Sequence, residues 1–178
     1  ISEGKIKKNQ IIDFYSFKEF INQLKGSSFM IDDQSCSVFA ERIIKLKFKI
    51  VAKEDPIYRL KSIKNSIEIK HMIEVHKKDG LALTKFIYWI KNINKKTITE
   101  VDAQNKLEKF RKMNSDYLYP SFNTIAGTGS NGAIVHYRSN KQNTKKIRPN
   151  DIFLCDSGGQ YKYGTTDVTR TICFTNPK

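Results

Sequence analysis

The sequence predicts an α+β fold, because two helical segments at residues 66–93 and 99–113 precede a stretch of short β-type runs broken by glycine-rich turns. A chain of 178 residues with 39% apolar content can also fill a core, which excludes wholesale disorder and fibrous repeats. No run approaches the roughly 18 apolar residues needed to cross a bilayer, so no membrane partner is expected. The chain begins with Ile1 and lacks the basic, apolar and small-residue succession of a secretory signal. A cytoplasmic piece of a longer protein is expected.

The first elements read as the end of an α/β unit. Apolar residues at 17, 20, 21 and 24 have the spacing of a helix face. Gly26-Ser27-Ser28 stops that helix, residues 29–31 make a short strand, 37–46 a second helix and 48–52 another strand. Glu54-Asp55-Pro56 marks a boundary, since proline biases the residue before it toward extended geometry. Residues 1–55 and 56–178 are therefore expected to be separate units. Over 66–93, Ile69, Ile73, His76 or Lys77, Gly80, Leu83 or Thr84, Ile87 and Ile90 return about once per turn, with Ser66 as the N-cap. Thr99 should open the next helix, where Glu100 and Asp102 suit the positive end of the helix dipole. Strands are expected at 122–126, 133–137, 152–155 and 166–174, around the glycines at 127, 129, 132, 158, 159 and 164.

The net charge of +14 points to no specific nucleic-acid partner. Of the 32 basic residues 26 are Lys and only 6 are Arg, scattered over the whole chain, whereas bidentate reading of guanine and phosphate depends on Arg. The 23 Ile and 13 Asn share adenine- and uracil-rich codons with Lys, and codon bias accounts for the balance. Cys36, Cys155 and Cys173 are odd in number and far apart, which argues against a disulfide framework or a zinc knuckle.

The chemistry concentrates near the C-terminus. Asp156-Ser157-Gly158-Gly159-Gln160-Tyr161 and Gly164-Thr165-Thr166-Asp167-Val168-Thr169-Arg170 put two carboxylates eleven residues apart beside apolar strands. If the chain reverses at Tyr161-Lys162, Asp156 stands opposite Asp167, and the glycines can shift that register by a residue or two. Two facing carboxylates invite a divalent cation, which removes their mutual repulsion and accepts oxygen ligands. The alternative is that Asp156 caps the following turn and Asp167 pairs with Arg170 or a surface Lys. His136, at the end of an apolar run twenty residues earlier, is either a third site residue or a structural histidine.

These runs, with Pro120-Ser121-Phe122 and Gly129-Ser130-Asn131-Gly132-Ala133-Ile134-Val135-His136-Tyr137, resemble the Xaa-Pro aminopeptidases (aminopeptidase P) of the pita-bread metallopeptidase superfamily. The likeness runs from about residue 63 to 174, and the Gly-Thr-Thr-Asp-Val-Thr-Arg string favours this family over prolidase. Residues 1–55 more weakly resemble the end of the creatinase-like α/β domain that precedes the catalytic domain in multi-domain members. The resemblance implies that residues 56–178 are the first half of a pita-bread catalytic domain. It also implies that Asp156 and Asp167 are two of five ligands of a dinuclear site, commonly two Mn2+, with Asp167 bridging. His136 would bind substrate and stabilise the tetrahedral intermediate. Bridged cations lower the pKa of a shared water and polarise the scissile carbonyl, and an imidazole donor stabilises the charge that develops there.

The implied substrate is a peptide with proline at its second position. In the family one His and two Glu complete the ligand set from the second half of the domain, beyond Lys178. This chain alone is then expected to be inactive, and the full-length protein to form a homodimer. Two other readings stand beside this one: a non-catalytic pita-bread module that binds peptides or proteins, and an inactive remnant of a split gene.

Overall fold

The computed structural model describes residues 5–93 and 98–175, which fall into two compact units, Ile1–Ile63 and Lys64–Lys178. In the first unit α1 (Phe17–Gln23), β1 (Ser28–Ile31), α2 (Val38–Lys45) and β2 (Lys49–Ala52) follow the expected order. Ser37 caps α2 by accepting the Ala40 N–H at 3.2 Å. β1 and β2 pair in parallel, Phe29 against Ile50, as a helical crossover requires. Ile21, Ile31, Ile44 and Phe48 form their shared core. After β2 ends at Ala52, Pro56 opens a short helix, α3 (Pro56–Ser62): Asp55 accepts the Ile57 N–H, and proline suits the first helical position because its missing N–H would have had no partner there.

The second unit begins with α4 (Ser66–Asn92), capped one residue earlier than the sequence suggests. The Asn65 side chain accepts the Ile67 and Glu68 N–H groups, while Glu68 reaches back to the Asn65 N–H. Its buried face is Val75, Asp79, Ala82, Leu83, Phe86 and Ile90, whereas Ile69 and Ile73 are exposed. The expected recurrence thus meets the core at Leu83, Ile87 and Ile90 but misses it over the first turns, and the core face has a charged residue, Asp79, in its middle. α5 (Glu100–Lys112) starts at the Thr99 cap as expected.

Six strands follow: β3 (Tyr117–Pro120), β4 (Ile125–Thr128), β5 (Ile152–Ser157), β6 (Gly159–Tyr161), β7 (Gly164–Thr165) and β8 (Val168–Cys173). They form two antiparallel sheets, ordered β3-β6-β7 and β4-β5-β8. Leu83, Phe86, Ile90, Ala103 and Leu107 of the helices pack on Ala126, Phe153, Cys155 and Ile172 of the second sheet. Residues 133–137, expected as a strand, form none: β4 leaves the ladder at Thr128 and enters a 3-10 turn over Gly129–Ala133. All three cysteines are free, and burial pushes the Cys155 thiol up to about 11.

Candidate functional site

β5 alternates strictly, with Phe153, Cys155 and Ser157 buried toward the helices and Ile152, Leu154 and Asp156 on the other face. β8 pairs with it so that Asp156 stands opposite Thr169, and the Thr169 hydroxyl donates to Asp156 Oδ1 at 2.8 Å. The ladder continues past Val168 through the Thr166 N–H to the Gly159 carbonyl, which places Asp167 beside Gly158 and diagonally across from Asp156. The turn is centred one residue later than the sequence suggests, at Lys162-Tyr163. The register therefore moves by two, and a shift of two keeps a side chain on its face.

Gly158 is what allows this approach. A Cβ there would lie 2.0 Å from the Thr166 carbonyl oxygen and 2.2 Å from Ser121 Oγ. Gly158→Ala must therefore push the two arms of the hairpin apart. A loss of about 3 kcal/mol, the upper part of the range for overpacking, is expected in urea unfolding, and no change in midpoint would contradict the geometry.

His136 lies in the loop after β4. Gly127 allows the chain to fold back, since a Cβ there would meet the Asn131 carbonyl at 2.9 Å, and Gly132 lies against Leu154, two residues from Asp156 on the same face. The loop then closes a turn in which the Tyr137 N–H donates to the Ile134 carbonyl at 3.2 Å. His136 occupies its third position with φ 54°, the only non-glycine residue of positive φ among those described. His136 is exposed, and Val135 before it is 83% exposed.

Glu100 holds this loop. Its carboxylate is fully buried (0% exposed) and accepts the Thr128 N–H at 2.8 Å, the Asn131 amide at 3.0 and 3.2 Å, the Tyr137 hydroxyl at 2.9 Å and the Lys145 N–H at 2.9 Å. Four donors replace the water that a buried carboxylate gives up. A second buried network ties the helices to the hairpin. Arg111 Nε and Nη2 donate to the two oxygens of Asp79 at 2.7 and 3.1 Å, and Nη2 also reaches Ser157 Oγ at 3.1 Å. The Tyr161 hydroxyl donates to Asp79 at 2.7 Å. Burial pushes the Asp79 carboxyl up, but Arg111, Tyr161 and Thr166 together outweigh it and hold it below 3.8.

Both networks escape pattern reading. Glu100 looks like a dipole-complementing residue in a first turn, and Asp79 like an interruption of an apolar face. The available signal for Asp79 is its place in the series Val75, Asp79, Ala82, Phe86, Ile90, where an acid needs a buried partner.

The two sheet-face aspartates differ from these. Asp156 engages only one oxygen, with Thr169. Among the described residues Asp167 has no hydrogen bond or ion pair, and no cluster of three or more His, Cys, Asp or Glu could by itself hold a metal. Two hard oxygen donors with free lone pairs fit part of a manganese- or magnesium-type ligand set. The alternative pairing of Asp167 with Arg170 is not formed: the Arg170 guanidinium donates to the Thr169 carbonyl at 2.8 Å.

A sequence model of metallopeptidase family M24 matches residues 70–178. "Probable Xaa-Pro aminopeptidase P" of Aspergillus niger is 50% identical over 125 residues, covering 68% of this chain and 20% of that protein. The protein of the same description from Coccidioides posadasii is 46% identical over 132 residues, covering 72% and 20%. The crystal structure of X-prolyl aminopeptidase from Caenorhabditis elegans, described as a cytosolic enzyme with a di-nuclear active site, superposes with a TM-score of 0.82 at 27% identity over 93% of this chain and 28% of that one. The chain thus spans about a fifth of the length of the curated relatives it matches.

Proposed function

Because the chain belongs to metallopeptidase family M24, we propose that it supplies one half of the active site of a metal-dependent Xaa-Pro aminopeptidase, with Asp156 and Asp167 as metal ligands and His136 as the substrate-binding catalytic residue. The observation that carries this reading is the pair of aspartates on one sheet face with oxygens left free, beside a loop that packs Gly132 near Leu154 of that face and carries His136 at positive φ. Two Mn2+ held there would activate a water and polarise the carbonyl before proline. Asp167, free on both oxygens, suits the bridging position, and Asp156 offers the oxygen that Thr169 leaves open. His136 donates to the carbonyl oxygen of the scissile bond as charge builds on it. The Caenorhabditis elegans relative is described as cytosolic, which supports a cytoplasmic setting. Among the described residues no helix is long and apolar enough to cross a membrane.

The full-length protein, stripped by chelator and reloaded with Mn2+, should release the first residue of Xaa-Pro peptides and leave Xaa-Ala peptides nearly intact. Hydrolysis indifferent to chelation, or without preference for proline, overturns the proposal. His136→Gly separates chemistry from folding. It relieves the left-handed strain and should leave stability unchanged or raised by about 1 kcal/mol, while kcat falls by about 100-fold. A variant with normal kcat would remove His136 from the reaction.

A further inference from the structure

We infer that the buried Asp79–Arg111 pair is a positioning device that holds in place the hairpin carrying Asp156 and Asp167. The inference rests on reading those two aspartates as metal ligands. Asp79 and Arg111 are 3% and 1% exposed and join α4 to α5, yet those helices already share an apolar core through Leu83, Phe86, Ile90 and Leu107. A buried ion pair adds little net stability over an apolar pair of similar size. Its outward hydrogen bonds explain its placement better. Arg111 Nη2 holds Ser157, the residue after Asp156.

Asp79 also holds the Tyr161 hydroxyl near the hairpin turn. Thr166 in turn fixes the Gly159 N–H on its own hydroxyl at 2.9 Å, and its carbonyl accepts the Ser121 hydroxyl at 2.9 Å. One rigid guanidinium–carboxylate fork thus grips the hairpin at two points, Ser157 beside Asp156 and Tyr161 before the turn. Strand alternation then directs Asp156 to the opposite face from Ser157. Neither Asp79 nor Arg111 hydrogen-bonds to the candidate ligands, so any effect on metal passes through Ser157 and Tyr161. Partners that orient ligands in this way commonly govern metal affinity by 10- to 100-fold.

The test titrates Mn2+ into the metal-free full-length protein by calorimetry, with thermal unfolding of each metal-free variant measured alongside. Tyr161→Phe and Ser157→Ala remove single grips and leave the ion pair in place, and Arg111→Lys keeps the charge without the fork. Each is expected to fold and to weaken Mn2+ binding by about 10-fold or more. The electron paramagnetic resonance spectrum of the Mn2+-saturated variants should also be altered, a change that lost stability alone would not produce. Folded variants with wild-type affinity and spectrum overturn the inference while leaving the metal site standing. Wild-type protein that takes up no Mn2+, or an Asp167→Asn variant that binds as well as wild type, overturns the reading of the aspartates and the inference with it.

Discussion

Asp167→Asn in the full-length protein is expected to lower kcat/KM on Xaa-Pro peptides by about 1,000-fold, or about 4 kcal/mol of transition-state stabilisation. The amide keeps the size of the carboxylate but removes the charge that two cations would share. Folding should not suffer. Asp167 is exposed and makes no contact that would be lost among the described residues, so the metal-free variant should unfold within about 0.5 kcal/mol of wild type. Relief of repulsion from Asp156 favours a small gain. An inactive variant of normal stability is the signature of a ligand, whereas loss of activity through misfolding would appear first in the melting curve. Asp156→Asn should also lose metal, and because Thr169 already occupies one of its oxygens, its effect should be the smaller of the two.

Glu100→Ala is the substitution with the largest expected cost to stability. It leaves the Thr128 and Lys145 N–H groups, the Asn131 amide and the Tyr137 hydroxyl without their shared acceptor. The Thr128 N–H and the Asn131 amide are buried and cost about 1–3 kcal/mol each when stranded; the Tyr137 hydroxyl can still donate to the Asn143 carbonyl, and a total of about 3–5 kcal/mol is expected in urea unfolding. Glu100→Gln is instructive, since a carboxamide must turn its NH2 toward groups that are themselves donors and should recover less than half of the loss. The same cluster dictates an alkaline limit. Burial, followed by the hydrogen bond to Glu100, pushes the Tyr137 hydroxyl up to about 12 from 10.0. A raised folded-state pKa stabilises the fold fully below pH 10, and that contribution disappears as pH rises toward 12. Tyr137→Phe should flatten the pH dependence of stability in that window, and an unchanged slope would contradict the assignment.

The helices were legible because apolar residues recur along both and Thr99 caps α5, whereas the α4 cap was missed by one residue, Asn65 rather than Ser66. The paired aspartates were legible from their symmetric placement about a glycine-rich turn. Their face survived a wrong turn centre, because the error in register was an even number of residues. Residues 133–137 misled because Ile134 and Val135 favour strands, while the Asn131 and Tyr137 side chains on either side donate to Glu100, a residue more than thirty positions away. Asp79 was hidden for a related reason: periodicity ranks residues by hydrophobicity, and the partner that makes a buried carboxylate tolerable lies on another helix. Long-range polar satisfaction leaves little mark on local sequence.

The central claim, that Asp156 and Asp167 hold metal, is tested most directly by anomalous diffraction from Mn2+-loaded crystals of the full-length protein. Anomalous peaks bonded at about 2.0–2.6 Å to carboxylate oxygens of both aspartates, with Asp167 touching two of them, are the predicted result. Ordered Mn2+ bound elsewhere while both carboxylates face water would contradict it.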